Sequence, residues 1–275
     1  MRGDLFIIGG KEDKEGDKDI LRQFTKISGG KKACIGILTT ATQYPQELGD
    51  EYRQIFESLG CKETIAFHLD NRESAEDEKL REDIRRCTGL FITGGDQVRL
   101  TSILGGTLFY EEIRNRWNQE GMVIGGTSAG AAVMSCHMIM SAKETEEEYI
   151  VEMGAGFCLI EDVIIDQHFS QRARFGRLMT AIAHNPQIMG IGIDENTAIW
   201  VQDEGERFTV IGENLVTVFD GRKLDYVDTT NHGNNHNITI SGVRLHSLAS
   251  GYIFDLKQRE LVTDTSKEEH RHEGK

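Results

Sequence analysis

Proline is almost missing from this chain, two residues in 275, so the 30 glycines must do most of the punctuation between elements. Positive charge is also short: 31 Lys and Arg stand against 45 Asp and Glu, a formal net charge of −14. That balance excludes a protein whose main business is to hold phosphate backbones or an anionic membrane, which needs a basic field. Any anion site here must be a local exception. Long apolar runs are absent as well. No window approaches the roughly 20 apolar residues of a membrane span, and the first apolar run, 5–8, ends at two glycines and is far too short for a signal-peptide core. The five cysteines, at 34, 61, 87, 136 and 158, are odd in number and include no CxxC pair. We therefore expect neither a zinc nor a dithiol site, and reduced thiols in a cytoplasmic protein. A chain of this length buries about three-quarters of its unfolded surface. One large domain needs no disulfide staples.

What is present is an alternation. Short β-branched or apolar runs at 5–8, 34–39, 64–69, 90–93, 122–124 and 163–165 read as strands, and the amphipathic stretches 19–27, 46–59, 78–87, 109–119, 129–135 and 172–183 read as helices. Such a pattern builds βαβ units around a mostly parallel central sheet flanked by helices. Four strands run into Gly9-Gly10, Thr39-Thr40, Gly94-Gly95 and Gly125-Gly126, placing small residues at the carboxyl edge of the sheet. In open α/β sheets ligands bind at that edge. Beyond residue 190 come short strand-like runs at 198–202, 208–211, 216–219, 238–241, 243–248 and 252–256, expected as antiparallel strands on the edge or face of the main sheet. We expect one α/β catalytic domain over 1–264 and a polar, disordered tail over 265–275.

The most informative stretch is Gly126-Thr127-Ser128-Ala129-Gly130, set between an apolar strand and a small-residue helix. G-x-S-x-G in that setting is a nucleophile elbow: small neighbours permit a sharp turn that lifts the serine hydroxyl to the sheet edge. The Ala129 N–H, at the helix start, is then able to donate to a developing oxyanion. A serine also caps helices readily, so the pentapeptide by itself supports a purely structural role; the flanking strand and helix favour the nucleophile.

A serine nucleophile needs a base, and the base needs an orienting group. Among nine histidines, His168 directly follows the run 163–165, within Asp166-Gln167-His168-Phe169, and is expected at the same sheet edge as the elbow. His184 sits at a helix end, where capping is the simpler role. His232 and His236 are four apart like a helical metal pair, but the Gly and Asn around them indicate a loop, and no metal is expected. Glu195, just past an apolar run, is placed to accept from the imidazole and fix its tautomer, although Asp194-Glu195 also reads as an ordinary acidic turn. The acidic run 144–148 offers another carboxylate and reads more simply as a solvated face.

Residues 168–180 contain Arg172, Arg174 and Arg177 and no acid, a basic island beside the proposed base. This is the local exception required above. Arg174 and Arg177 are three apart, hence neighbours on one helical face, and their forks suit carboxylates; pairing with scattered surface acids is the alternative. In Gly94-Gly95-Asp96-Gln97 two glycines let backbone N–H groups approach a reacting carbonyl, with Asp96 and Gln97 as polar contacts. Asp96 equally suits the N-cap of a following helix. Gly9-Gly10 is followed by no nucleotide-binding glycine pattern.

Taken together, Phe91 to Gln97, Gly126 to Ala131, Asp166 to Arg172 with Arg174 and Arg177, and Gly192 to Glu195 closely resemble the motifs of the cyanophycinases, in the same order and spacing. These are serine exopeptidases related to the aspartyl dipeptidases. The resemblance implies a flavodoxin-like α/β fold, similar to the class I glutamine amidotransferases, and a homodimer. It implies action on cyanophycin, a polyaspartate with arginine on each β-carboxyl, releasing β-aspartyl-arginine without any cofactor. Position by position it implies Ser128 as nucleophile, His168 as base, Glu195 as orienting carboxylate, and Gly95 and Ala129 as oxyanion-hole amides. Asp96, Gln97, Asp166, Gln167, Arg172, Arg174 and Arg177 would bind the substrate, with acids such as Asp166 meeting its guanidinium. The related aspartyl dipeptidases take their acid from between Ser and His, which keeps Glu146 as a second candidate. Two rival readings are an exopeptidase for short α- or β-aspartyl peptides and a catalytically silent binding protein. The serine elbow disfavours a glutamine amidotransferase, whose nucleophile is cysteine.

Overall fold

The computed structural model describes residues 1–144, 149–229 and 238–263. Its frame is built from β1 (Leu5–Ile8), β2 (Cys34–Leu38), β3 (Glu63–Phe67), β4 (Gly89–Ile92) and β5 (Val123–Thr127). Between them run α1 (Asp19–Ile27), α2 (Pro45–Ser58), α3 (Glu78–Arg86), α4 (Gln97–Leu104) and α5 (Leu108–Glu120). The five strands pair in parallel in the order β1-β5-β4-β2-β3. Successive side chains enter opposite layers: Leu5 and Ile7 join one apolar cluster, Phe6 and Ile8 the other. Burial on both faces is why these runs are continuously apolar. Helix α4 was not among the expected helices; Asp96 caps it by accepting from the Val98 and Arg99 N–H groups.

After β5 comes a single short helix, α6 (Ala129–Ala132), less than the stretch expected. The chain then forms an antiparallel hairpin of β6 (His137–Glu144) and β7 (Tyr149–Ala155), which are not among the expected strands. Glu146 falls in the segment outside the described residues, as do His232, His236 and the tail 265–275. Next follow β8 (Val163–Gln167), α7 (Phe175–His184), β9 (Met189–Ile193), β10 (Thr197–Gln202), β11 (Arg207–Gly212) and β12 (Val216–Asp220). The remaining strands are β13 (Tyr226–Asp228), β14 (Thr239–Ser241), β15 (Arg244–Leu248), β16 (Ile253–Asp255) and β17 (Glu260–Leu261).

Most of the late strands divide between two sheets, and β13 and β14 pair with each other as a separate two-stranded one. β10, β11, β16 and β17 extend the main sheet antiparallel from β1, to nine strands. β8 and β9 instead make a second sheet, in the order β15-β12-β9-β8. The run 163–165 therefore belongs to the second sheet and not to the parallel one. The reason is edge occupancy: β10 takes the free side of β1, leaving β8 and β9 to pair with each other and with antiparallel β12. A third apolar cluster, including Ile164, Phe169, Leu178, Ile182 and Phe219, packs α7 against that sheet.

The thiols differ from expectation. A disulfide joins Cys136 to Cys158, while Cys34, Cys61 and Cys87 are free. The Gly156 N–H donates to the Cys136 carbonyl, and Ser135 bridges Ile160, so the base of the hairpin brings the two cysteines together. No helix among the described residues is long and apolar enough to cross a membrane.

Candidate active site

β5 carries Thr127 to the carboxyl edge of the main sheet, and the chain turns at Ser128 with φ 53° and ψ −112°. A non-glycine residue is strained there, as a nucleophile elbow requires. Gly126 and Gly130 make room for the turn: a Cβ on the first would collide with the Gly130 carbonyl, and one on the second with the Ile92 carbonyl. The Ser128 N–H donates to Ile8 O at 3.1 Å, fixing the elbow to β1.

His168 follows β8 directly, also at positive φ (47°), and its ring is buried. Its N–H donates to Gly9 O at 2.7 Å, which ties the second sheet to the end of β1. The imidazole Nε2 lies 3.0 Å from Ser128 Oγ, and Nδ1 lies 2.7 Å from Glu195 Oε1. Glu195 is reached two residues beyond β9. Its N–H donates to Gln171 Oε1 at 3.0 Å and its carbonyl accepts from Asn214 Nδ2 at 2.8 Å. Asp194, the other half of the acidic pair, is occupied elsewhere, accepting the Ser170 N–H at 2.9 Å.

The electrostatics follow from burial and contact. Desolvation pulls His168 below its ordinary pKa, the Arg172 and Arg174 cations add to this, and the Glu195 carboxylate opposes it. For Glu195 burial pushes the carboxyl up, but hydrogen bonds from His168 and Lys11 outweigh it and hold the group below the usual carboxylate value. Lys11 Nζ is 3.1 Å from the same Oε1 that meets the imidazole.

Gly94 lies against Ser128, with an added Cβ only 3.3 Å from Ser128 Cβ. Gly95, at φ 145°, packs on Ala41, whose carbonyl also accepts the Asp96 N–H at 2.9 Å. Among the described residues the N–H groups of Gly95 and Ala129 donate to no protein acceptor. Asp96 serves as the α4 cap, and Gln97 Nε2 donates to the carbonyls of Ile139 and Met140 in β6, at 3.1 and 3.2 Å.

The basic island is anchored on a buried acid. Arg177 grips both oxygens of Asp166, through Nε at 2.7 Å and through Nη2, while Arg174 Nη1 reaches Asp166 Oδ1 at 3.3 Å. Arg174 also donates to the Gln167 carbonyl at 2.6 Å and to its side-chain oxygen. Burial, then the neighbouring Arg177, pull the Arg174 guanidinium down to about 10, so it remains charged at neutral pH. The guanidinium that Asp166 meets is thus the chain's own. Arg172 is exposed and has no ion pair among the described residues. Because α7 begins at Phe175, Arg174 sits at its N-cap rather than along one helical face with Arg177.

Gly9, Gly10, Lys11, Glu12 and Gln171 also reach the site and are not among the expected site residues. A Cβ on Gly10 would press against the His168 ring at Cε1 and lie 2.5 Å from Nε2. The paired glycines after β1 were the visible signal; what they serve is an imidazole and not a nucleotide.

The sequence model of peptidase family S51 matches residues 5–209, taking in the serine, the histidine and the glutamate. The chain belongs to peptidase family S51. This S51 peptidase is 39% identical over 262 residues to the cyanophycinase of Geminocystis herdmanii (strain PCC 6308), covering 94% of this chain and 95% of that one. It is 35% identical over 262 residues to the cyanophycinase of Thermosynechococcus vestitus (strain NIES-2133 / IAM M-273 / BP-1), covering 94% of this chain and 81% of that one. A crystal structure of a peptidase from an acI-B1 actinobacterium has the same fold, with a TM-score of 0.66 at 23% identity over 90% of this S51 chain and 97% of its own.

Proposed function

We propose that the chain is a cyanophycinase, a serine exopeptidase that hydrolyses cyanophycin to β-aspartyl-arginine dipeptides. The observation that carries this reading is the Ser128–His168–Glu195 relay, at 3.0 and 2.7 Å, in a chain so similar to cyanophycinases along its length. His168, kept neutral by burial, takes the Ser128 proton on Nε2 as the oxygen attacks the scissile carbonyl. Glu195 accepts from Nδ1–H, holding the required tautomer and stabilising the imidazolium that forms. The Gly95 and Ala129 N–H groups receive the oxyanion. The leaving amine takes its proton from His168, and a water deprotonated by the same ring then cleaves the acyl-enzyme. Apart from that water, the groups that take part are the protein's own.

Recognition is assigned to the basic island with Gln97, Gln167 and Asp96. Arg172, the exposed cation, meets a free carboxylate of the substrate; Asp166 holds Arg174 and Arg177 in place rather than touching substrate. Each unit of the polymer carries one arginine guanidinium and one free arginine α-carboxylate, so a chain of net charge −14 has little to repel. We further propose that residues 1–264 form one catalytic domain of a homodimer, for which light scattering should give twice the 30.9 kDa chain mass.

The decisive experiment incubates the protein with insoluble cyanophycin, beside α- and β-Asp-Xaa dipeptides, and identifies the products by mass. Release of β-aspartyl-arginine by the wild type, and none by folded Ser128→Ala, is expected. Cleavage of the dipeptides alone would replace the polymer by short aspartyl peptides. Failure of a fluorophosphonate to label Ser128 would make the protein a silent binder. Arg172→Ala should raise KM for the polymer with little change in kcat; an unchanged KM would return Arg172 to the surface.

A further inference from the structure

We infer that Glu12 is a positioning residue for the nucleophile, holding the elbow through Thr127; the inference rests on Ser128 being that nucleophile. Glu12 and Thr127 are each only 4% exposed and Tyr52 only 2%. A carboxylate at that depth needs partners, and no Lys, Arg or His pairs with it among the described residues. Its oxygens are instead divided between two hydroxyls. Oε2 accepts from Thr127 Oγ1 at 2.6 Å, and Oε1 accepts from the Tyr52 phenol. Burial first, and the Glu12 charge second, push that phenol well above its ordinary pKa, so Tyr52 remains a donor.

Thr127 is the last residue of β5, paired with Ile8 in the parallel ladder, and Ser128 follows at once in its strained conformation. A strained turn persists only where its surroundings over-determine it. The carboxylate supplies a side-chain tether at the point where the ladder ends. Its far end is rigid: Tyr52 packs in an aromatic cluster with Phe91 and Phe56, at centroid distances of 4.8 and 6.1 Å. Apolar groups of the same shape fill such a space with less desolvation cost, so a buried carboxylate here signals orientation rather than stability. The neighbours of Glu12 serve the other members of the relay. Gly9 O accepts the His168 N–H, Gly10 underlies the imidazole, and Lys11 pairs with Glu195. Four consecutive residues thus address the whole relay, and Glu12 is the one that addresses the serine.

The test uses Glu12→Gln, which keeps the shape but removes the charge and one acceptor oxygen. Its kcat, and its rate of Ser128 labelling by a fluorophosphonate, should both fall about tenfold while KM stays within about twofold. Thr127→Val, isosteric but without the hydroxyl, should show the same loss, and Thr127→Ser should retain most of the rate that Val loses. Combining Glu12→Gln with Thr127→Val should cost no more than the worse single change, since both remove one bond. Unchanged kcat and labelling in folded Glu12→Gln, or losses that multiply in the double variant, would overturn the inference. Should Glu12→Gln fail to fold, equal labelling of Thr127→Val and Thr127→Ser would do so. Labelling needs no polymer, so a wild type that labels yet leaves cyanophycin intact counts against the substrate assignment and not against Glu12.

Discussion

On the proposed mechanism the His168 imidazole must be free of its proton for the chemistry to start, and its surroundings favour the neutral form. Burial, assisted by Arg172 and Arg174 and opposed by Glu195, lowers the His168 pKa. The neutral form is the base, so activity rises with pH through that pKa, and a lowered value puts the acid limb of kcat/KM below about 6.5. Arg172→Ala removes one lowering cation and should move the limb to higher pH; a limb that stays or moves down would place Arg172 outside the field of the ring. Gly10→Ala should leave the circular dichroism spectrum intact and reduce kcat about a hundredfold, because the new Cβ must displace the imidazole. Ser128, His168 and Glu195 were legible because each lies at or just beyond the end of an apolar run. Glu12 was not: it stands among Asp13, Glu15, Asp17 and Asp19, and only the pairing of Ile8 with Thr127 sets it beneath the elbow.

Among the elements, the basic island and the hairpin show what a linear pattern hides. Three arginines without an acid could be counted in the sequence, but the anchor shared by two of them, Arg174 and Arg177, is Asp166, contributed by β8 before α7 begins. Asp166→Asn should therefore act like a double loss at Arg174 and Arg177, raising KM for the polymer and lowering thermal stability together. A change in stability with KM untouched would separate the anchor from substrate binding. The hairpin β6–β7 meets the site through Gln97, which donates to two β6 carbonyls, and its base is closed by the Cys136–Cys158 disulfide. Thiol titration in denaturant should find three reactive cysteines before reduction and five after it. Loss of the cross-link should lower Tm by roughly 5–10 °C. Five reactive thiols without reductant would refute the cross-link.

Across the whole molecule the parallel frame was readable, and the division into two sheets was not. A strand buried on both faces has the same apolar texture whichever sheet it joins, and only the occupation of the β1 edge by β10 sends β8 and β9 elsewhere. The net charge of −14 gives a prediction at this scale. If recognition is by contact at the island rather than by long-range field, kcat/KM for cyanophycin should change less than about threefold between roughly 0.05 and 0.5 M salt. A steep fall would point to field-driven capture. The division between sheets also bears on the chain's own synthesis. Ser128 emerges from the ribosome 40 residues before His168, and Glu195 follows 27 residues later still. On the proposed mechanism the serine lacks its base until the second sheet has folded and docked on Gly9, so an incomplete or misassembled chain cannot cleave a peptide bond.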